Sequence, residues 1–144
     1  MALGQAVEHF AAIIPTRCEP WVAYHDETSL CAYQGVAQYE LALTGRDPSA
    51  AGRAVPLLRR AVDGFGAAYT RPRALYLPDL AGAHAIAGDA DTAVSVGHQA
   101  VDAVTVLHSP RAYDRLRILN TALEPLRDSA GVTELRDRLA TAVA

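Results

Sequence analysis

Apolar residues recur at intervals of three and four along almost the whole chain, and convincing runs of apolar–polar alternation are absent. This spacing predicts helices, because residues three and four apart lie on one face of a helix. The first apolar face runs from Leu3 to Ile14, and Pro15 ends it because the residue before a proline is pushed out of the helical region. A helix is therefore predicted over about residues 2–14.

The next stretch predicts a helical pair. Its first helix starts near Pro20, since proline is tolerated in a first turn, and it stops at Gly45. The apolar stripe of this helix consists of Leu30, Tyr33, Ala37 and Leu41. Ser49 is placed to cap the second helix, which runs to Phe65.

Two further pairs follow. After a break at residues 71–73, helices are predicted over 74–87 and 91–107, separated by Gly88 and Asp89. Ser109 and Pro110 open another helix, and a closing helix follows the stop at Gly131.

These elements predict an all-α fold of antiparallel helical hairpins, with about six to seven helices in a single domain over residues 1–144. Two prolines conflict with the helical pattern. Pro56 and Pro78 each remove a backbone hydrogen bond and kink a helix unless they lie near its first turn. The helix boundaries near these prolines are therefore left open.

Helical pairs that repeat at a period of about 34 to 40 residues are typical of helical hairpin repeats. The segment 77–100 resembles the tetratricopeptide pattern of large, small and aromatic positions. The matching residues are Leu77, Leu80, Ala81, His84, Gly88, Asp89, Ala93, Gly97 and Ala100. His84 replaces an aromatic residue, and Gly97 leaves a gap at another aromatic position. The resemblance implies a short right-handed array whose hairpin is packed by Leu77, Leu80, Ala81, His84, Ala93 and Ala100.

The same resemblance implies a groove along the first helix of this hairpin. Its groove-facing residues would be Leu75, Pro78, Asp79, Gly82, Ala85 and Ile86. Such a small apolar surface suits a partner helix or an apolar ligand, and the alternative is that neighbouring helices of the chain cover it. The two best-known peptide clamps of the family use lysines and asparagines. Both are disfavoured here, because this chain has no lysine and Asn120 is its only asparagine.

A narrower resemblance covers most of the chain. It is carried by Pro20-Trp21, Tyr24, Asp26-Glu27, Arg73 to Leu77, Asp79 to Ala81, Ser109 and Arg115 to Arg117. These residues resemble the C-terminal region of actinobacterial helix-turn-helix transcriptional regulators. In that family a small DNA-binding domain precedes a helical region that senses or dimerises. The resemblance implies that this chain is either a fragment of such a regulator or a standalone relative.

The composition narrows the function further. All 13 basic residues are arginine, a usage that suggests a GC-rich genome, and the formal net charge is -3. This balance predicts no direct binding to nucleic acid, and the absence of lysine excludes Schiff-base and P-loop chemistry. The two cysteines, Cys18 and Cys31, are too few for a disulfide scaffold, so a reducing cytoplasm is expected. Neither a signal peptide nor a membrane-spanning window is recognised.

Candidate chemistry is sparse. The five histidines form no metal-binding pair, so no metal and no cofactor are predicted. An enzymatic or small-molecule alternative would use an inter-helix pocket around His84 and Asp79, with His98 and Tyr76 nearby. Five arginines offer a local anion-binding patch: Arg59, Arg60, Arg111, Arg115 and Arg117. Carboxylates among them favour a face of ion pairs instead.

The leading hypothesis is a non-enzymatic domain of a bacterial regulator that binds a protein or a small apolar ligand. Two alternatives remain: a small-molecule-binding protein or enzyme with the His84/Asp79 pocket, and a purely structural dimerisation module. A homodimer is expected, because a short array leaves apolar end surfaces that need covering.

Overall fold

The computed structural model describes residues 20–66 and 68–144, with side chains from residue 27 onward. This part of the chain is helical and contains no strand, which confirms the all-α prediction. Its helices are α1 (Pro20–Leu43), α2 (Ala50–Phe65), α3 (Thr70–Ile86), α4 (Ala90–Leu107), α5 (Pro110–Leu123) and α6 (Val132–Val143), with a 3-10 turn at Glu124–Leu126. The helix predicted over 2–14 lies outside the described residues. None of the described helices is long and apolar enough to cross a membrane.

Pro56 and Pro78 do not set helix boundaries, whereas Pro20 and Pro110 each begin a helix. Pro56 lies inside α2, and Pro78 lies inside α3 and is buried. The prediction of a break at residues 71–73 was wrong, because α3 already begins at Thr70. Pro72 falls in the first turn, where its missing N–H has no helical partner to lose.

Glycine and aspartate make the turns as the sequence predicts. Gly45 has a φ of 73° and Gly88 a φ of 89°, conformations that a residue with a Cβ atom rarely adopts. Asp89 caps α4 by accepting a hydrogen bond from the backbone N–H of Thr92 at 3.2 Å. Ser49 precedes α2 but does not cap it, because its hydroxyl donates to Asp47 instead.

The helices form three consecutive antiparallel pairs, α1 with α2, α3 with α4, and α5 with α6. Helix α3 lies at the centre, because it contacts α1, α2, α4 and α5. The first helices of the three pairs are therefore neighbours, in the order α1, α3, α5. This is the layout of a short helical-repeat array.

The core of the second hairpin contains the residues that the repeat pattern marks for packing. Leu77, Leu80, Ala81, Ala93 and Ala100 are buried, whereas His84 is half-buried. Gly97, which leaves a gap in the repeat pattern, is covered by the last helix. A Cβ atom at Gly97 would lie 2.5 Å from Cδ2 of Leu135 in α6, so the missing aromatic ring makes room for this leucine.

The apolar stripe predicted for α1 is not the face that α1 buries. Tyr33 and Leu41 are exposed, and Leu30 and Ala37 are only half-buried. The buried face consists of Thr28, Cys31, Ala32, Gly35, Tyr39 and Ala42. Small residues are inside because α2 approaches closely: a Cβ atom at Gly35 would lie 2.7 Å from Cγ of Leu58.

A second close approach joins α1 to α3. The ring of Tyr39, only 2% exposed, lies against the backbone of Gly82. A Cβ atom at position 82 would lie 2.5 Å from Cζ and 2.8 Å from Cε1 of this ring, and closer still to the hydroxyl oxygen. Because aromatic rings are rigid, this contact requires glycine.

We predict that Gly82→Ala lowers the free energy of unfolding by about 1–3 kcal/mol, because the new methyl group forces the buried Tyr39 ring to move. Chemical denaturation measures the change. Gly52→Ala is the matched control, since Gly52 also lies in a helix and has no atom within 4 Å of the added Cβ. The control is expected to be neutral or to stabilise by about 0.4–1 kcal/mol. Equal effects of the two substitutions would contradict the close approach.

Candidate functional site

A buried ion pair sets the register between α3 and α5. Arg115 of α5 donates to a carboxylate oxygen of Asp79 and, at 3.3 Å, to the backbone carbonyl oxygen of Leu75. One guanidinium group thus holds two successive turns of α3.

Asp79 is an unusual residue for the centre of a helical domain. It is 4% exposed, and burial raises the pKa of its carboxyl group to about 7, although the positive charge of Arg115 acts in the opposite direction. Glu40 of α1 adds a smaller upward effect on the pKa through its negative charge. The carboxylate is therefore stable in its charged form only while Arg115 stays beside it.

The hydroxyl group of Tyr39 lies in the same region without a hydrogen-bond partner among the described residues. Burial and, second, the negative charge of Asp79 raise the pKa of Tyr39, while Arg115 acts to lower it. The hydroxyl is thus a buried donor close to a carboxylate that Arg115 already occupies. An unpaired buried hydroxyl costs about 1–3 kcal/mol, so this arrangement stores free energy.

Tyr76 continues this group of side chains towards the surface. Its ring stacks on Phe65 of α2, with ring centroids 5.9 Å apart and an angle of 10° between the planes. The guanidinium carbon of Arg115 lies 5.5 Å from the centroid of the Tyr76 ring, within the range of a cation–π interaction. Burial raises the pKa of Tyr76, and both Tyr33 and Arg111 are close enough to affect it.

These contacts place five side chains on one side of α1, α3 and α5. We name this surface the first-helix face and define it by Tyr33, Glu40, Tyr76, Arg111 and Arg115. Tyr33, Glu40 and Arg111 are exposed, whereas Tyr76 and Arg115 are half-buried. Ile118, which is also exposed, extends the face, since it lies one turn after Arg115 on α5.

The residues predicted to face a groove form the floor of this face. Pro78, Asp79, Gly82 and Ala85 are buried, and only Leu75 and Ile86 are half-buried. Tyr39 covers Gly82, and Arg115 covers Asp79. Apart from Tyr76, the accessible residues of the face therefore belong to α1 and α5. The repeat spacing within α3 gives no information about these residues.

The two histidines of the alternative pocket lie away from Asp79 and Tyr76, which both contact Arg115. Asp79 faces α5, whereas His84 lies 3.6 Å from the carboxylate of Asp89 at the turn between α3 and α4. His98 contacts Arg138 of α6 at 3.2 Å. Burial lowers the pKa of His84, and Asp89 opposes this effect. No group of three or more His, Cys, Asp and Glu side chains in the described segments is arranged to hold a metal ion.

A cavity of about 600 Å³ lies elsewhere, between the start of α3 and the end of α4. It is lined by Thr70, Arg73, Gln99, Asp102, Ala103, Val106 and Leu107. Neither His84 nor Asp79 contributes to its walls.

The five arginines of the predicted anion patch separate into two groups. Arg59 pairs with Asp63, Arg60 with Glu27, Arg115 with Asp79 and Arg117 with Asp114. Arg111 has no ion pair with any described residue. The sequence pattern alone did not distinguish Arg111 from the others, because partner choice depends on which helices are neighbours.

Comparisons with protein-family models, with curated proteins and with solved structures found no match. The geometry of the first-helix face and the sequence resemblance are therefore the two sources for a functional interpretation.

We predict that Arg115→Met destabilises the protein by about 1–3 kcal/mol, because it leaves the buried carboxyl group of Asp79 without its partner. Arg111→Met, one turn earlier on the same helix, is the control and is expected to change the free energy of unfolding by less than about 0.5 kcal/mol. Urea denaturation of the two variants measures both values. A small effect of Arg115→Met would show that the ion pair does not hold α5 against α3.

A second prediction concerns pH. The folded state raises the pKa of Asp79 from 3.8 to about 7, so the folded protein retains a proton that the unfolded chain releases. The stability that Asp79 contributes is complete below about pH 4 and is lost as the pH rises through about 7. The difference in unfolding free energy between the wild type and Asp79→Asn isolates this contribution from other titrating groups.

We expect Asp79→Asn to become more stable relative to the wild type as the pH is raised from about 4 to about 8. Asp128→Asn, at an exposed position, is the control and is expected to show no such trend. A difference that stays constant, or that changes in the opposite direction, would mean that Arg115 keeps the carboxyl group charged throughout this range.

Proposed function

We propose that this chain is a non-enzymatic interaction domain that binds a partner protein through the first-helix face. The observation that carries the proposal is an exposed tyrosine, Tyr33, beside a half-buried Tyr76 and the arginines of α5. Tyrosine and arginine are the residue types in which binding hot spots are enriched. Tyr33 is 62% exposed, so a large aromatic surface is available without rearrangement of the core.

The chemistry of the face supports binding rather than catalysis. Its one buried carboxylate, Asp79, is occupied by Arg115 and covered by it. A general base must come within hydrogen-bond reach of its substrate, and this geometry leaves no such access. The nearest histidine along α3, His84, is turned towards the α3–α4 turn.

The cellular setting follows from the sequence resemblance. The C-terminal helical regions of actinobacterial helix-turn-helix regulators sense or dimerise beside a DNA-binding domain. We propose the same role for this chain, as a cytoplasmic regulator domain. Its helices bind a partner protein, and it does not bind nucleic acid directly. A homodimer in which the partner is a second copy is one form of this proposal.

The proposal predicts that Tyr33→Ala combined with Arg111→Ala removes partner binding while the fold stays intact. Immobilised wild type and variant are incubated with a lysate of a GC-rich actinobacterium, and the retained proteins are quantified by mass spectrometry. We expect the amount of retained partner protein to be at least about tenfold lower with the variant than with the wild type, since two hot-spot residues are lost.

Gln99→Ala combined with Asp91→Ala is the matched control, because both residues are exposed on α4, away from the face. Thermal unfolding of both double variants checks the fold, and light scattering of the wild type tests whether the partner is a second copy. Equal retention of every bound protein by the face variant would reject the first-helix face as the binding surface.

A further inference from the structure

Arg111 differs from most other arginines of the chain. Twelve arginines lie in the described residues, and eight of them form ion pairs with carboxylates. The four without such a pair are Arg46, Arg71, Arg73 and Arg111. Among these four, Arg111 is the one that belongs to the first-helix face. Its nearest acidic residue along α5, Asp114, is already paired with Arg117.

A second guanidinium group lies one helical turn away. Arg111 and Arg115 are four residues apart on α5, so they project from the same side of the helix. Both are close to the Tyr76 ring, and Tyr33 borders the same region from α1. Two guanidinium groups on one side of a helix beside aromatic rings are suited to a carboxylate, because the rings exclude water and each guanidinium offers a planar fork of donors.

Asp79, the present partner of Arg115, has a second hydrogen-bond donor close to it. The Tyr39 hydroxyl is buried and has no hydrogen-bond partner in the described part of the chain. It lies close enough to Asp79 that the negative charge of this carboxylate raises the pKa of Tyr39. Its donor capacity is therefore unused while Arg115 holds Asp79. If Arg115 turns outward, Tyr39 can donate to Asp79, and the carboxyl group can also take up a proton because burial disfavours its charged form.

We propose that Arg111 and Arg115 form a binding site for a carboxylate of the partner, in which Arg115 exchanges Asp79 for the incoming carboxylate and Tyr39 becomes the hydrogen-bond donor to Asp79. The site lies within the first-helix face and therefore rests on the proposed function. It identifies the partner surface as acidic.

The charged groups around the exchange are defined by the three helices. Arg111 and Arg115 face the site from α5, Tyr76 and Asp79 from α3, and Tyr33, Tyr39 and Glu40 from α1. Glu40 opposes an anion, but it is separated from Tyr33 by seven residues, which is about 10 Å along α1. The carboxylate is therefore expected at the Tyr33 end of the face, where Arg111 lies.

The test uses glutarate, a small dicarboxylate, and follows the side-chain Nε–Hε signals of the arginines by NMR in the full chain. Sodium chloride at the same ionic strength is the reference titration. We expect saturable shifts of Arg111 and Arg115 with one common Kd, while exposed Arg46, which also lacks an ion pair, responds as it does to chloride. Shifts that are equal at Arg46 and Arg111, or absent from both, would overturn the site.

Two variants test the exchange itself. Asp79→Asn removes the competitor for Arg115, and glutarate is expected to bind about tenfold more tightly if the open form of Arg115 is populated at about 10% in the wild type. Tyr39→Phe removes the replacement donor and is expected to weaken binding. Arg111→Gln is expected to abolish the shift at Arg115.

Raising the pH from about 6 to about 8 is expected to weaken glutarate binding in the wild type but not in Asp79→Asn, because only the wild type takes up a proton at Asp79 when Arg115 leaves. A shift confined to Arg111, or unchanged affinity in Asp79→Asn, would overturn the exchange. If glutarate fails while the Tyr33/Arg111 variant still loses its protein partner, the carboxylate site is wrong and the interaction face stands.

Discussion

The ion pair between Asp79 and Arg115 is the interaction on which the arrangement of the first helices depends. Buried ion pairs add little net stability, because the loss of hydration offsets their attraction. Their effect is on specificity, since any other register of α5 against α3 would leave the Asp79 charge buried and unpaired. The second bond of Arg115, to the carbonyl of Leu75, fixes the same register from a neighbouring turn. The central helix is therefore positioned by the hydrogen bonds of Arg115 as well as by apolar contacts.

Close backbone approach supplies the complementary constraint on the other side of α3. Gly82 admits the ring of Tyr39, and Gly35 admits Leu58, so α1 lies close to both α3 and α2. Burial of these large side chains against glycine gives dense packing. It also places the Tyr39 hydroxyl where no described partner satisfies it. The tightly packed Tyr39 and the buried charge of Asp79 therefore lie in the same small region around α3.

This region connects the interior of the domain to the first-helix face. Arg115 touches Asp79 below and Tyr76 above, and Tyr76 borders the exposed Tyr33 and Arg111. A partner that engages the surface arginines would therefore change the environment of the buried carboxyl group. Such a link between surface contacts and a buried titratable group is a physical basis for sensing, because binding and proton uptake become coupled.

Helical periodicity and the chemistry of Gly45, Gly88 and Asp89 are local properties, so the amino-acid sequence is enough to predict the all-α class, most turns and most packing residues of the second hairpin. It did not determine which face of α1 is buried. Apolar character favoured the stripe containing Tyr33, whereas the close approach of α2 required small residues inside. Likewise, repeat spacing marked Asp79 and Gly82 as groove residues, but Arg115 and Tyr39 cover them from other helices. Such coverage depends on which helices become neighbours, and only the tertiary structure decides that.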